Sequence, residues 1–311
     1  MANKSSPLKI LVTGGAGFVG SHLVERLVED GHTIVILDHF SKTAVYERYL
    51  KTYRKPHEVV RGDLIGDFDS LVKYFKNIDV VFHLAGRNKN SQTDKHPALY
   101  HDANVTATMY TLEASRRGGA KRFVYMASTT CYGPNAPLPT RETAPVDPRT
   151  PYALTKYLGE AYAFHWEKVY KLPVVSLRVF SIYGPRKNST IFGGFFLSKF
   201  IDQMKAGKPI TIEGDGSQSR DLIYISDVIN ALIMASQSTM TGEVFNVGTG
   251  VSTSMNEIIK ILGTPRTLYN AEIDDAPHST QADITKITTI LGWKPSISIR
   301  EGIQRTVAYE A

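Results

Sequence analysis

Tyr152 and Lys156 have the residue types and the spacing that suit acid–base chemistry. They are four positions apart in the segment Thr150-Pro151-Tyr152-Ala153-Leu154-Thr155-Lys156, in which threonine suits the cap of a helix and proline its first position. Residues at this spacing lie on one face of a helix. A phenol has a pKa of about 10 in water, and an ammonium and a helix N-terminus beside it both favour the ionised form. We therefore predict that Tyr152 is a general base with a lowered pKa, assisted by Lys156.

Ser128 is a candidate for a further hydroxyl at the same site. It ends a predicted strand in the segment Ala127-Ser128-Thr129-Thr130-Cys131, where it can hydrogen-bond a reacting oxygen and the tyrosine. The alternative is a strand-end hydroxyl that satisfies local backbone groups. Thr129 and Thr130 are weaker candidates for this role. No cationic neighbour in the sequence activates Cys131, which is predicted to be an inert thiol.

A glycine-rich turn near the N-terminus predicts the cofactor of this chemistry. An apolar strand ends at Thr13, and three spaced glycines, Gly14, Gly17 and Gly20, lead into a helix. Glycine permits a tight turn and a close backbone approach, and the free N–H groups of the helix face a negative charge. Spaced glycines alone are weak evidence, but a second strand ends in Asp38, where an acid binds the adenosine ribose. This order predicts a dinucleotide site, and Asp38 disfavours NADP, although Lys42 is close in sequence.

Strands and helices alternate over the first half of the chain, which predicts a parallel sheet covered by helices on both faces. The predicted fold is α/β, with a Rossmann-type doubly wound parallel sheet in an NAD-binding domain at residues 1–179. Longer loops and shorter strands follow, so residues 180–311 are predicted to form a smaller C-terminal α+β substrate lobe. Residues 227–250 are predicted to return to the main sheet.

The composition excludes several classes of protein. The chain has 311 residues, of which 42% are hydrophobic and 21% charged, as in ordinary globular proteins. No apolar run is long enough to span a bilayer, and the first residues lack the apolar core of a signal peptide. The single cysteine fits a reducing cytoplasm. We therefore expect a cytoplasmic protein without a membrane segment and without a metal site.

The net charge of +6 allows two interpretations. A basic chain can bind nucleic acid, but the lysines and arginines are dispersed and form no recognisable nucleic-acid motif. The favoured interpretation is that basic residues surround a site for a phosphorylated, anionic small molecule. No nucleic-acid partner is therefore predicted.

Motifs along essentially the whole chain resemble those of the extended short-chain dehydrogenases/reductases. The resemblance is to the NAD-dependent nucleotide-sugar epimerase/dehydratase group, and within it to UDP-glucose 4-epimerase-like members. So many motifs in one order are specific for the family but not for one substrate. The motifs lie at residues 13–20, 38, 62–64, 83–86, 104–105, 128, 152, 156, 177–180, 183–186, 214–221, 246–248 and 291–295.

The resemblance implies a bound NAD and a set of residues that hold it. The glycine turn would hold the pyrophosphate, Asp38 the adenosine ribose, and Asp63 with Leu64 the adenine. The turn at residues 83–86 would pass beside the cofactor, and Lys156 would also hold the nicotinamide ribose. The implied cofactor-binding residues are Gly14, Gly17, Phe18, Val19, Gly20, Asp38, Asp63, Leu64, Leu84, Ala85, Gly86, Asn104 and Lys156.

The resemblance also implies a diphosphate site in the substrate lobe, from which this chain departs twice. Arg220 would grip the substrate diphosphate, because a guanidinium fork suits it; the alternative is a local ion pair of Arg220 with its neighbour Asp221. Ser181 stands where many members have asparagine, and the acidic stretch 272–275 stands where many have an arginine. Arg186 or Lys187 is then expected to supply the missing charge. The predicted substrate-binding residues are Ser128, Ser181, Arg186 and Arg220.

The residues that follow Ser128 favour one reaction of the family. Members that eliminate water or carbon dioxide generally have an acid there, whereas this chain has Thr129 and Thr130. The resemblance therefore implies 4-epimerisation of a nucleotide sugar, most simply a UDP-sugar, through a transient 4-keto intermediate. A dehydratase or reductase, or a non-catalytic NAD-binding regulator, remains open, as do the sugar and the nucleotide. The family also implies a homodimer formed by the helices that begin near Pro97 and Pro151.

Overall fold

A parallel sheet of seven strands forms the centre of the protein. The computed structural model describes residues 6–40, 57–88, 95–187, 196–270 and 277–310, so Lys42 and the acidic stretch 272–275 lie outside the described residues. The strand order β10-β6-β5-β4-β1-β2-β3 is that of a doubly wound Rossmann sheet with one further strand. The predicted α/β class and Rossmann-type sheet are therefore confirmed. The strands are β1 (Lys9–Thr13), β2 (Thr33–Asp38), β3 (His57–Arg61), β4 (Val80–His83), β5 (Arg122–Ser128), β6 (Val174–Val179) and β10 (Glu243–Val247).

The helices of the first half connect these strands. They are α1 (Phe18–Glu29), α2 (Phe68–Tyr74), α3 (Pro97–His101), α4 (Ala107–Gly118) and α5 (Pro151–Tyr170). Helix α5 begins as predicted, because Pro151 is its first residue and the Thr150 hydroxyl accepts the Ala153 N–H at 3.2 Å. The sequence predicts one continuous helix from about residue 97 to 117, but a π-helical turn, Asp102–Thr106, joins α3 to α4. Such turns carry an extra residue and are frequent at functional sites.

Both faces of the sheet are buried, which explains why its strands are almost continuously apolar. Alternate residues of β1 point to opposite faces: Ile10 and Val12 pack with α1, whereas Leu11 packs on the side of α2, α4 and α5. Helix α7 (Ile225–Gln237), from the second half of the chain, lies beside α1 and contacts β5 and β6. The sheet therefore fixes the places where α1 and α5 begin.

The second half of the chain forms two smaller sheets and supplies β10 to the large one. Strand β9 lies between β7, to which it is parallel, and β11, to which it is antiparallel; β8 and β12 pair in parallel. None of the helices within the described ranges combines the length and the apolar character that a membrane crossing requires. The remaining elements are β7 (Ser181–Tyr183), α6 (Phe196–Lys205), β8 (Ile210–Glu213), β9 (Ser219–Tyr224), β11 (Ser252–Ser254), α8 (Met255–Ile261), β12 (Thr267–Asn270), α9 (Thr285–Leu291) and α10 (Ile299–Glu310).

A buried ion pair fixes helix α5 to strand β6. Arg178 Nη2 lies 2.5 Å from Glu160 Oε1, and both side chains are buried. The Ser176 hydroxyl donates to Glu160 Oε2 at 2.8 Å, and the Arg178 guanidinium lies 4.8 Å from the Tyr132 ring centroid. Each charged group thus has the partners that burial demands.

We expect Glu160→Gln to lower the free energy of unfolding by about 3 kcal/mol, because it leaves the Arg178 charge buried without a counterion. The measurement is urea denaturation at neutral pH. The control is Glu301→Gln, which breaks the exposed pair of Glu301 with Arg305 on α10 and should cost no more than about 0.5 kcal/mol. Equal effects of the two substitutions would contradict a structural role of the buried pair.

Candidate active site

The glycine turn lies directly against the segment that follows β4. Gly14 has a φ of 68°, and a Cβ atom there would lie 2.8 Å from the Ala85 Cα. A Cβ atom on Gly20 would lie 2.2 Å from the Gly14 carbonyl oxygen. Gly17 precedes Phe18, the first residue of α1, and serves as the cap of the helix. The turn therefore packs against the neighbouring backbone more closely than any residue but glycine permits, and it leads into the N-terminus of α1, which fits the pyrophosphate of a dinucleotide.

The acids predicted to bind adenosine lie at the ends of the neighbouring strands. The Asp38 carboxylate accepts the Ala16 N–H at 3.1 Å and the Phe40 N–H at 2.9 Å. It therefore joins the end of β2 to the glycine turn. Asp63 accepts the Ile65 N–H at 3.1 Å, and Leu64 beside it is buried. An acid after β2 and a glycine cradle after β1 are the donor set and the shape that NAD requires.

His83 connects the strand ends that border this cradle. The Thr13 hydroxyl lies 2.8 Å from His83 Nδ1, and the Thr108 hydroxyl lies 2.9 Å from Nε2. Thr108 donates its own proton to the Asn104 carbonyl at 2.7 Å, so we assign the imidazole hydrogen to Nε2. Burial, with the Lys156 charge as a lesser cause, lowers the pKa of His83 to about 3. The ring is therefore neutral, and Thr13 also accepts the Ala85 N–H at 3.3 Å.

Asn104, in the π-helical turn, holds the next part of the same segment. Its Oδ1 accepts the Arg87 N–H at 2.8 Å, and its Nδ2 donates to the Arg87 carbonyl at 3.2 Å and the Thr155 hydroxyl at 3.1 Å. A Cβ atom on Gly86 would lie 2.6 Å from Asn104 Oδ1. Leu84, Ala85 and Gly86 therefore run between the glycine turn and helix α5. In this structure the side chain of Asn104 therefore supports the segment that is predicted to pass beside the cofactor.

The structure brings the three predicted catalytic residues together where β5 ends and α5 begins. The Ser128 hydroxyl accepts the Thr130 N–H at 3.3 Å and lies 3.0 Å from the Thr130 hydroxyl. It is also close enough to the Tyr152 phenol to lower its pKa. Tyr152 is half-buried. Lys156 is buried, and its Nζ donates to the Met126 carbonyl at 2.6 Å. A phenol, a serine hydroxyl and an ammonium therefore share one site.

The pKa of Tyr152 differs in direction from the sequence prediction. The chain's own groups raise it, because burial outweighs the hydrogen bond from Ser128. The ammonium of Lys156 is directed to the Met126 carbonyl and not to the phenol oxygen. Burial lowers the pKa of Lys156 to about 8, and the Glu160 charge opposes that effect. The helical spacing brought the two side chains to one face, but burial decided which protonation states the protein favours.

The predicted diphosphate residues occupy separate places in the second half of the chain. Ser181 begins β7 and is half-buried. Arg186 pairs with Glu25 of α1 at 2.7 Å, so a role on a substrate diphosphate would require this pair to open. Lys187 Nζ lies 2.5 Å from the Ile182 carbonyl. The structure therefore shows Arg186 and Lys187 on the side of the molecule where α1 begins.

Arg220 is held by backbone carbonyls and not by its neighbour Asp221. Within the described residues, Arg220 Nη1 donates to the Ser219 carbonyl at 2.8 Å and the His278 carbonyl at 3.1 Å. The buried Asp221 carboxylate instead accepts the N–H groups of Thr249 (2.7 Å), Gly250 (2.9 Å) and Ala282 (2.9 Å) and the Thr249 hydroxyl at 2.7 Å. The local ion pair considered from the sequence is therefore not the arrangement observed.

Sequence reasoning did not single out several residues that support the site. Thr13 and Thr108 bind His83, and Tyr125 lies against Lys156, as described below. Thr108 follows Asn104 at the four-residue helical spacing, which is a signal that could have linked the two. Tyr125 gave no such signal, because its contacts come from helices distant in sequence.

A Rossmann sheet with a glycine cradle and a serine, tyrosine and lysine at its carboxyl edge defines a short-chain dehydrogenase/reductase. The sequence profile of the NAD dependent epimerase/dehydratase family matches residues 10–248. The chain belongs to this family. The predicted family and the NAD cofactor are therefore confirmed.

Known epimerases are similar to this chain over nearly its full length. UDP-glucose 4-epimerase of Mycolicibacterium smegmatis is 34% identical over 97% of this chain and 98% of its own. The structure of UDP-glucose 4-epimerase from Thermotoga maritima with UDP-glucose has a TM-score of 0.91 at 32% identity and covers 97% of this chain and 98% of that one. The structure of UDP-glucuronic acid 4-epimerase from Bacillus cereus, with UDP-glucuronic acid and NAD, has a TM-score of 0.88 at 31% identity. It covers 97% of this chain and 98% of that one.

We expect Gly20→Ala to weaken NAD binding, because the new Cβ atom would lie 2.2 Å from a backbone oxygen of the cradle. Overpacking of this kind costs a fold about 1–3 kcal/mol, so the part of this cost that falls on the NAD-bound state weakens binding by at most roughly 150-fold. Isothermal titration of NAD into NAD-stripped protein measures the change. The control is Gly66→Ala, whose Cβ would meet its nearest neighbour, the Asp63 carbonyl oxygen, at 3.6 Å. Unchanged affinity in the Gly20 variant would show that the turn does not hold the dinucleotide.

Proposed function

We propose that this protein is an NAD-dependent 4-epimerase of a nucleotide sugar, with a UDP-sugar as substrate. The observation that carries the proposal is that Ser128, Tyr152 and Lys156 lie together where β5 ends and α5 begins, beside the cradle for NAD. Relatives and structural neighbours that it resembles over nearly its whole length include UDP-glucose 4-epimerases and a UDP-glucuronic acid 4-epimerase, although other relatives are UDP-glucuronic acid decarboxylases and a dTDP-D-glucose 4,6-dehydratase. The predicted class of enzyme, an NAD-dependent nucleotide-sugar epimerase, is thereby confirmed.

The roles of the catalytic residues follow from their protonation chemistry. Tyr152 takes up the proton of the sugar 4-hydroxyl and later returns it to the same oxygen on the other face of the ring. Ser128 hydrogen-bonds that oxygen and the phenol, and therefore holds both in register. Lys156 supplies a positive charge that favours the phenolate over the phenol. Bound NAD supplies the oxidation of the sugar carbon and its subsequent reduction, so the cofactor is regenerated in every cycle.

The division of labour between the two halves of the chain is also a proposal. Residues 1–179 would hold NAD, and residues 180–311 would form the lobe that holds the sugar nucleotide. Arg220 is the cation that we assign to the diphosphate, because its guanidinium is fixed by two carbonyls and has no carboxylate partner within the described residues. Ser181 would contribute a shorter hydrogen-bonding side chain than the asparagine that the family resemblance implies for many members.

The residues next to Ser128 favour epimerisation over elimination. Thr129 and Thr130 follow it, and the Thr130 hydroxyl lies 3.0 Å from the Ser128 hydroxyl. A hydroxyl at this place does not protonate a leaving group as a carboxylic acid does. We therefore expect a 4-epimer as the product, without formation of a keto-deoxy sugar and without net consumption of NADH.

We expect Tyr152→Phe to lower turnover by about 10²- to 10⁴-fold, the range typical for loss of a general base. The phenyl ring remains, so NAD binding and the melting temperature should change little. Proton NMR of UDP-glucose and UDP-glucuronic acid incubated with the NAD-loaded enzyme measures the rate and identifies the product.

The control is Tyr170→Phe, at the exposed end of the same helix and about 27 Å away along its axis. It removes an identical hydroxyl and should leave turnover unchanged. Near-native turnover of Tyr152→Phe would contradict the assigned role. Failure of the unmodified protein to change a wider panel of nucleotide sugars would favour the non-catalytic regulator.

We further propose that the protein is a homodimer that pairs through α3, α4 and α5. Helix α5 carries Leu154, Tyr162 and Val169 exposed on its outer side, and Leu99 is exposed on the adjoining helix α3. Tyr162 and Val169 are seven residues apart, nearly two full turns, and therefore lie on one face of the helix. Exposed apolar residues aligned in this way are typical of a surface that pairs with another.

We expect Tyr162→Glu to shift the protein from dimer to monomer, because it places a charge in the middle of this surface and burial of an unpaired charge is costly. Light scattering coupled to size-exclusion chromatography at low micromolar concentration measures the mass. Val251→Glu, at a position that is 61% exposed before β11, is the control and should keep the mass of the unmodified protein. A dimer in both variants would contradict the proposed interface.

We also propose a cytoplasmic location. The support is the single cysteine, Cys131, which is buried and unpaired. Burial raises the pKa of its thiol to about 12, so it is unreactive. A chain stabilised without disulfides is suited to a reducing compartment.

A further inference from the structure

Tyr125 contacts both ends of Lys156. The Tyr125 side chain is fully buried in β5, on the face of the sheet that α5 covers. The Lys156 ammonium lies 4.5 Å from the centroid of the Tyr125 ring. The Tyr125 hydroxyl donates to the Lys156 backbone carbonyl at 3.1 Å. The same aromatic residue therefore contacts the charge of the lysine and the helix that carries it.

The helix lies so close to Tyr125 that a larger residue would not fit between them. A Cβ atom on Gly159 would lie 2.3 Å from the Tyr125 hydroxyl oxygen. Gly159 follows Lys156 by three residues and lies on the same side of α5. The Tyr125 hydroxyl thus sets the separation between strand and helix at the position of the lysine.

The ammonium has lost its water shell and needs the ring to replace part of it. In the described part of the chain, its hydrogen bond goes to the Met126 carbonyl, which satisfies one of three N–H donors. Glu160 lies one turn further along α5, but its carboxylate is bound by Arg178 and Ser176. A desolvated cation over an aromatic face gains more than an exposed one.

We propose that Tyr125 is a positioning residue for the reaction: its ring face stabilises the charged form of Lys156, and its hydroxyl fixes the backbone that carries it. The inference rests on the proposed function, because it assigns Lys156 to the reaction. Tyr125 itself does not touch the reacting atoms. It acts by keeping the ammonium charged and in place where the phenol of Tyr152 must become ionised.

The other groups that face Lys156 do not replace the ring. Glu160, on the same helix, favours the charged lysine, and burial opposes it. His83, on β4, is neutral. Its ring stacks on that of Tyr125, with 5.9 Å between the ring centroids and an angle of 24° between the ring planes. Tyr152, on the first turn of α5, is neutral by preference of the chain's own groups. Of the groups on β4, β5 and α5, the Tyr125 ring is therefore the one that offers the ammonium a face of negative potential.

The test compares two variants with planar six-membered rings in the NAD-loaded enzyme, Tyr125→Phe and Tyr125→pentafluorophenylalanine. Both variants lack the hydroxyl. Fluorination reverses the charge distribution of the ring face and keeps the planar shape of the ring. NMR of protein labelled at the lysine side chains gives the Lys156 titration, assigned by comparison with Lys156→Arg. The pH dependence of epimerisation is measured on the same samples.

We expect the fluorinated variant to lose the Lys156 proton at a pH lower by about one unit than the Phe variant. The alkaline limb of the pH profile of turnover should shift to lower pH by the same amount, because a deprotonated Lys156 no longer favours the phenolate. The Phe variant should titrate as the unmodified enzyme does. Equal titration of Lys156 in the two variants would overturn the inference.

The outcomes distinguish this inference from the proposed function. A shifted Lys156 titration with an unchanged turnover profile would support the contact with Tyr125 and would contradict the role of Lys156 in the reaction. Matching melting temperatures of the two variants exclude a loss of packing as the cause. An unshifted titration with a shifted profile would overturn the inference, because the ring would then act through another group.

Discussion

The hydrogen bonds of His83 join the ends of β1 and β4 to helix α4, and the rest of the site depends on this junction. They require an uncharged ring that accepts from Thr13 and donates to Thr108. Burial lowers the pKa of His83 to about 3 and so keeps that state. The junction places Ala85 against Gly14, at a distance that leaves no space for a side chain. The turn that we expect to hold the pyrophosphate and the segment that we expect to lie beside the rest of the dinucleotide are therefore held together by the same contact.

The charged groups of the site are buried and therefore need defined partners. Glu160 and Arg178 neutralise each other between α5 and β6, two turns beyond the first residues of the helix. Lys156 lies between this pair and the helix start, with a carbonyl and an aromatic ring as its surroundings. Burial without such partners would favour the neutral form of Glu160, which would gain a proton, and of Lys156, which would lose one. The packing of α5 against the sheet therefore also determines which protonation states the reaction begins from.

The surroundings of Arg220, which we propose to bind the substrate diphosphate, are assembled from segments far apart in the chain. Asp221 accepts hydrogen bonds from Thr249, Gly250 and Ala282. These bonds fix β9, and with it Arg220, against the segment after residue 277. A carboxylate with this many donors is satisfied without a cation beside it, which explains why Arg220 binds the Ser219 and His278 carbonyls and not Asp221.

Local pattern determined much of this protein. The apolar strands and spaced glycines predict the Rossmann sheet, and Thr150 with Pro151 predicts where α5 begins, because these signals act through the backbone of neighbouring residues. Only the tertiary structure decided that Arg186 pairs with Glu25, 161 positions away, and that burial raises the pKa of Tyr152. Burial and long-range partners are properties of the packed chain. The sequence therefore predicted the residue types at the site, whereas their charge states and their hydrogen-bond and ion-pair partners could be known only from the packed structure.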